Sequence, residues 1–465
     1  MSAERVTATY LIETPHSLEH AAEVLAGEQS SGTFVAVPGE TVELKAKHGA
    51  RVERIDELEP AAQPSLPGSK APKAAGASPV PPVYRRGRVV VSFPLHNFGP
   101  SLPSLLSTVA GNLYELQELS GVRLEDLDLP DAFARRYPGP AFGVDGTRRA
   151  AGVEGRALVG TIIKPSIGLS IEALRPLVRD LALAGIDFIK DDELNVDPDY
   201  APFEARLAAV MPVLHRHAQR LGRMPMYAIN ISGGIDQMRR RHDAVLRAGG
   251  SCVMVSVNAV GMAGVEHLRS YSELPIHAHR NGWGALTRHP LLGLDFMAYQ
   301  KLWRLAGVDH LHVNGLRGKF WEPDDSVIAS ARACLAPFSG MQPIVPVFSS
   351  GQWGGQAPDM YAALRSMDLM HLAGGGIVAH PQGPAAGVTA MRDAWQAAVE
   401  GASLESHSRT RPALRAAIDK FAEVAPPRSS YAAPPQGGAA GGPAEPDPRR
   451  PLGKIVARGA GEQST

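Results

Sequence analysis

The stretch "RALVGTIIKPSIGLSIEALRPLVRDLALAGIDFIKDDELN", residues 156–195, contains an apolar run, a helix-period run and a second apolar run. Its helical part repeats apolar residues at Leu174, Leu177, Val178 and Leu181, the i, i+3, i+4, i+7 spacing of one helix face. The two apolar runs, "ALVGTIIKP" and "IDFIKDDE", are strand candidates. Downstream the same alternation recurs with "PMYAINIS", "CVMVSVN", "LPIHAHR", "VDHLHVNG", "IVPVFSSG" and "LMHLAGGG", each followed by a helical segment. Eight such units over about 265 residues fit a (β/α)8 TIM barrel. A doubly wound open sheet fits less well, because no Gly-rich dinucleotide loop follows the first strand.

Upstream, "VTATYLIET", "SLEHAAEVLAGE", "RVVVSFPL" and "SLPSLLSTVAGNLYELQEL" mix strands and helices without strict alternation. That pattern predicts a small α+β domain over residues 1–135, with the barrel over 136–425. The Pro/Ala/Gly/Ser-rich segment from Leu58 to Pro82 has little to bury and reads as a flexible insertion. Residues 426–465 read as a disordered tail.

Charge narrows the function. Forty-seven basic and 47 acidic residues cancel, which argues against nucleic acid or a membrane surface as partner. No apolar run is long enough to span a membrane, and the first residues lack a secretory core. Cys252 and Cys334 make no disulfide framework and lack zinc-site spacing, so a reducing cytoplasm is the simplest compartment.

In a barrel of this kind the chemistry sits at the C-terminal strand ends. Seven of the eight expected ends carry polar or glycine-rich groups: Lys164; Lys190, Asp192 and Glu193; Asn230; His277, His279 and Arg280; His310 and His312, with Lys319 in the following loop; Ser349, Ser350 and Gly351; and Gly374, Gly375 and Gly376. Of each histidine pair, one is expected to face the barrel interior and the other to pack against helices.

Asp192 and Glu193 offer carboxylate oxygens, which suit Mg²⁺. Lys190 beside them has two readings. It is an ion-pair partner of the two acids, or it reacts with CO₂ as a neutral amine and becomes a carbamate oxygen ligand. Ser350, Gly351, Gly374 and Gly375 fit a phosphate site, and Arg280 with His312 fits a second anionic group.

Taken together, "GTIIKPSIGLS", "DFIKDDE", "HAHR", "DHLHVNGLRGK", "SSG" and "GGGIVAHP" resemble the large subunit of RuBisCO, and more closely the RuBisCO-like proteins. "GEQSSGTF" and "TVAGNLYEL" extend the match upstream. The resemblance implies a barrel preceded by a ferredoxin-like α+β domain. It implies Mg²⁺ held by Asp192, Glu193 and carbamylated Lys190, with CO₂ as activator. It also implies a homodimer, or a multiple of dimers, in which Glu28, Thr33 and Asn112 complete the partner's site. Lys164 matches the family's proton-shuttling lysine, and His279 an active-site histidine. Lys319 matches the mobile-loop lysine, Arg280 and His312 the distal phosphate pair, and Ser350, Gly374 and Gly375 substrate and phosphate contacts.

Departures from the carboxylase pattern are Phe34 for Trp, Ser166 for a second lysine, Ser350-Gly351-Gln352 for Ser-Gly-Gly, and Phe320-Trp321-Glu322 after Lys319. They imply no net CO₂ fixation. "HRNGWGALTRHPLLGLDFMAYQKLWRLAG", "HVNGLRGKFWEPDDSV" and "VFSSGQWGGQAPD" are most similar to the RuBisCO-like group that decarboxylates 3-oxo-isoapionate 4-phosphate. The alternatives are an enolase or isomerase of methylthio-sugar phosphates and a non-catalytic sugar-phosphate-binding protein.

Overall fold

The computed structural model describes residues 4–32, 35, 37–72 and 82–423. The N-terminal sheet contains β1 (Arg5–Thr14), β2 (Arg51–Ala61), β3 (Tyr84–Pro94) and β4 (Gly121–Asp128), in the order β4-β1-β3-β2 and all antiparallel. Helices Leu18–Glu28 and Leu102–Val109 complete the ferredoxin-like arrangement. Each begins at a serine, Ser17 or Ser101, whose side chain accepts a first-turn N–H.

The segment read as an insertion is structured where it begins. Leu58–Ala61 lie in β2, and beyond them the chain is tied to the domain. Buried Glu13 accepts from Ser65 N at 2.7 Å, Ser65 Oγ at 2.8 Å, Ser120 Oγ at 2.8 Å and Arg86 Nε at 2.7 Å. Leu66 N and Lys70 N then donate to the Ser120 and Gln117 carbonyls. A composition-based reading missed this because the order comes from one buried carboxylate rather than from apolar burial. Residues 73–81 and the predicted tail lie outside the described residues.

Eight parallel strands close the barrel: β5 (Leu158–Ile162), β6 (Phe188–Lys190), β7 (Met226–Asn230), β8 (Cys252–Ser256), β9 (Ile276–His279), β11 (His310–Asn314), β12 (Val345–Phe348) and β13 (Met370–Leu372). All eight predicted strands are present, in sequence order around the barrel. The interior is packed by Leu158, Phe188, Met226, Met254, Val347 and Met370. Val144 and Ala151 join this cluster from the helix Gly143–Ala151, which plugs the end opposite the mouth.

One further strand, β10 (Leu292–Leu294), leaves the barrel and pairs in parallel with β4. It joins the N-terminal sheet to the catalytic half. Among the described residues, no helix is long and apolar enough to cross a membrane.

Candidate active site

The strand ends surround a cavity of about 980 Å³. Lining it are Lys164, Lys190, Asp192, Glu193, His279, Arg280, His312, Lys319, Ser350, Gly351, Gly374 and Gly375 from the expected strand ends and their loops, whereas Asn230, His277 and His310 are not among its lining. Glu28 and Asn112 are not among its lining. Glu28 ends its helix and Asn112 opens a short 3₁₀ turn. Gln29 links the two places: with its amide correctly oriented, its oxygen accepts from Asn112 N at 3.2 Å. Thr33 and Phe34 lie outside the described residues.

Three consecutive carboxylates leave β6 with different partners. Asp191 is buried beneath the mouth, where it accepts from Tyr227 Oη at 2.6 Å, Arg206 Nη2 at 3.1 Å and Asn230 N at 3.1 Å. Asp192 faces the cavity and accepts from Lys164 Nζ at 2.7 Å. Burial alone would raise its pKa. The Lys164 hydrogen bond and charge, with Ser166 and Leu194 N, outweigh that and leave it below the ordinary carboxylate value. Glu193 stands 3.3 Å from His279 Nε2 and 3.8 Å from Lys190 Nζ.

Lys190 is fully buried and donates to the Asp191 carbonyl at 2.7 Å. Burial pushes its pKa down. Glu193, Asp192 and Asp191 oppose that shift and Lys164 adds to it, leaving the amine below its usual value. Lys164 also donates to Ser166 Oγ at 2.7 Å. His279 is driven down to about 4, first by burial and then by Lys190, with Glu193 opposing. Its Nδ1 lies 3.3 Å from Asn281 N and 3.4 Å from Asn281 Oδ1, while its Nε2 faces Glu193.

Among the described residues, no group of three His, Cys, Asp or Glu is placed to hold a metal. Two carboxylate ligands and a buried lysine of lowered pKa are what the mouth provides. This set fits a hard cation if Lys190 supplies the missing oxygens as a carbamate.

On the opposite wall, Arg280 Nη2 pairs with Glu322 at 3.0 Å, while its Nη1 is buried without a protein partner. Asn314 also donates to Glu322, at 2.5 Å. Ser350 has a left-handed backbone, φ +77°, an unusual state for serine that commonly marks a functional turn. Gly374 closely faces Lys164, leaving 3.3 Å between an added Cβ and Lys164 Cε, whereas Gly375 faces open space.

The expectation for the histidine pairs is corrected. His277 and His279 are two residues apart on β9, as are His310 and His312 on β11, and residues i and i+2 share a face. All four therefore point inward; His277, His310 and His312 are linked in one hydrogen-bonded row. Sequence reasoning also missed Trp283, Trp353 and Phe421 in the cavity lining. Phe421 ends the helix Pro412–Phe421, far in sequence from any strand end, and stacks 5.9 Å from Trp353.

Residues 143–421 match the family model of the ribulose bisphosphate carboxylase large chain catalytic domain, and residues 70–133 that of its N-terminal domain. A Xanthobacter autotrophicus protein named 3-oxo-isoapionate-4-phosphate transcarboxylase/hydrolase is 55% identical, across 90% of this chain and 99% of its own length. A Rhizobium etli 3-oxo-isoapionate-4-phosphate decarboxylase is 47% identical, with the same coverage. The crystal structure of a RuBisCO-like protein from Burkholderia fungorum superposes with a TM-score of 0.82 at 47% identity, covering 90% of this chain and all of that one. By its matched domains, its relatives and its fold, this chain belongs to the RuBisCO large-chain family.

Proposed function

We propose that the chain is a Mg²⁺-dependent carbon–carbon lyase that breaks the bond to the carboxylate of 3-oxo-isoapionate 4-phosphate. The observation that carries this reading is the pairing of Asp192 with Lys164 beside buried Lys190 in a sugar-phosphate-sized cavity. Relatives at 47% and 55% identity that are named for this substrate support it.

Lys190, Asp192 and Glu193 would hold the cation, Lys190 after its neutral amine has added CO₂ and released a proton. Bound there, the metal supplies a Lewis acid for adjacent substrate oxygens. A 3-oxo acid that loses its carboxylate leaves an electron pair, which its ketone oxygen takes up. Lys164 Nζ donates to Asp192 at the mouth and is placed to deliver a proton to the carbon left behind. Arg280, Lys319 and the glycine-rich ends of β12 and β13 bind the phosphate. Net CO₂ fixation is not part of this reading. Ser166 removes a second lysine, and Phe320 with Trp321 follows Lys319 at the cavity.

Decarboxylation is the first form of the reaction. A second form, in which the carboxyl group is transferred and hydrolysis follows, is favoured by the higher identity of the transcarboxylase/hydrolase relative. The chain works as a homodimer in this reading, because Glu28 and Asn112 have no place in its own cavity. The test is incubation with the substrate, isotope-labelled in its carboxylate, with Mg²⁺ and bicarbonate. Label released as CO₂ supports decarboxylation, and label retained in a cleaved product supports the second form. An intact carbon skeleton overturns both.

A further inference from the structure

The row of buried histidines runs the depth of the barrel, and no step above uses it. His277 Nε2 lies 2.9 Å from His312 Nε2, and His277 Nδ1 lies 3.3 Å from His310 Nδ1. At the mouth, His312 Nδ1 is 2.9 Å from the hydroxyl of Ser349, just beyond β12. At the floor, His310 Nε2 is 2.8 Å from Thr147 Oγ1, on the plugging helix. The Thr147 hydroxyl donates to the Gly143 carbonyl.

The direction of every bond follows from the last one. A carbonyl only accepts, so the single hydroxyl proton of Thr147 points at Gly143. Thr147 Oγ1 must then accept from His310, which places the His310 proton on Nε2 and leaves Nδ1 bare. Burial keeps all three rings neutral, with His310 driven down to about 3 and His277 and His312 well below their ordinary value. A neutral imidazole carries one N–H. His277 therefore donates from Nδ1 to His310, and His312 donates from Nε2 to His277. Ser349 must donate to His312. The row is polarised from mouth to floor and ends on a backbone carbonyl that cannot pass a proton on. It fixes orientation and conducts nothing.

We propose that Ser349 is a specificity-determining residue whose hydroxyl, committed as a donor to His312, meets the substrate only as an acceptor and so selects a substrate hydroxyl at that point. Ser349 lines the cavity and is nearly buried. His312, with both nitrogens engaged, has no N–H for an anion, so phosphate binding falls to other groups of the cavity. Thr147 acts from the far end as a positioning residue.

Nitrogen-15 spectra of the histidine-labelled full-length protein read the arrangement directly. The expected protons are on Nε2 of His310, Nδ1 of His277 and Nε2 of His312; a proton on Nδ1 of His312 overturns the proposal. The wild-type spectrum decides this whether or not any variant folds. Thr147→Val removes the floor acceptor. A buried N–H without an acceptor is worse tolerated than a bare lone pair, so the row is expected to reverse and move the His312 proton to Nδ1. Thr147→Ser is expected to preserve the wild-type pattern. An unmoved His312 proton in Thr147→Val overturns the role given to Thr147.

The kinetic arm rests on the sugar-phosphate reading above. Ser349→Ala and Thr147→Val are each expected to raise KM about three- to tenfold, the scale of one neutral hydrogen bond, with kcat close to wild type. Thr147→Ser restores KM. The expected tautomers with an unchanged KM in Ser349→Ala overturn the specificity role. Absence of turnover by the wild type is instead a failure of the functional reading, and the spectra still decide the direction of the row.

Discussion

At the scale of single residues, the mouth sorts three adjacent carboxylates by what surrounds each. Asp191 is satisfied by Tyr227, Arg206 and Asn230, which leaves Asp192 and Glu193 for chemistry. In the unmodified protein these two face Lys164 and Lys190. Lys190→Arg tests the part of the proposal that depends on a neutral amine, because a guanidinium remains charged. Activity is expected to fall about a hundredfold or more, the scale of losing one principal electrostatic stabiliser. In calorimetry, Mg²⁺ binding should no longer respond to bicarbonate; a retained response would sink the carbamate. Lys164→Met should cost a similar factor in kcat while the bicarbonate response persists, which separates proton delivery from metal binding. Lys164, Lys190, Asp192 and Glu193 were legible in the sequence because each stands at the end of an apolar run. The different fate of Asp191 was not, because its partners Arg206 and Tyr227 lie 15 and 36 residues further on, in the next helix and strand, and only the packing brings them to it. Ser349 was noticed only as one of a pair; its role emerges from Thr147, about 200 residues earlier (147 to 349).

At the scale of elements, the barrel strands were legible because each is a nearly uninterrupted apolar run. The three-residue β10 was not, since Leu-Gly-Leu gives no periodic signal and its partner β4 lies in the other half of the chain. Its central residue accounts for its composition. Gly293 has φ +93°, and a Cβ there would sit 1.9 Å from the Leu286 carbonyl oxygen. Its own carbonyl accepts from Tyr114 Oη at 3.1 Å, and Arg123 reaches across to the Thr287 carbonyl at 2.9 Å. Gly293→Ala is expected to destabilise by about 2 kcal/mol or more, since it combines an unfavourable backbone region with a backbone clash. Urea unfolding followed separately by tryptophan fluorescence, which reports the barrel, and far-ultraviolet dichroism should then show two transitions. One coincident transition with an unchanged midpoint would remove β10 as the coupling element.

For the whole molecule, the buried histidines set a pH limit on stability. His310 and His371 are pushed to about 3 by burial, and His277 and His312 are also lowered. Folded values below unfolded ones mean that the unfolded chain binds more protons as pH falls. The stability these neutral rings preserve is complete above about 6.5 and is lost as pH drops from there toward about 3. Each contributes up to about 1.4 kcal/mol per pH unit in that window. Melting temperature is therefore expected to fall between pH 7 and pH 5, before carboxylates titrate; a flat profile over that range contradicts it. None of this was readable from the histidine count alone, because burial of a polar ring depends on its partners, the row for three of these rings and Trp395 for His371.

The parallel pairing of β4 with β10 also has a consequence for biosynthesis. As the ribosome extends the chain, β4 emerges about 170 residues before the segment that covers its edge (122 to 292), after five barrel strands have already been made. Until then the nascent N-terminal half presents an open row of backbone donors and acceptors, a template for pairing with another polypeptide. Arrested translation products ending before residue 290 should therefore be the chaperone-dependent ones, and those extending past residue 300 should lose that dependence.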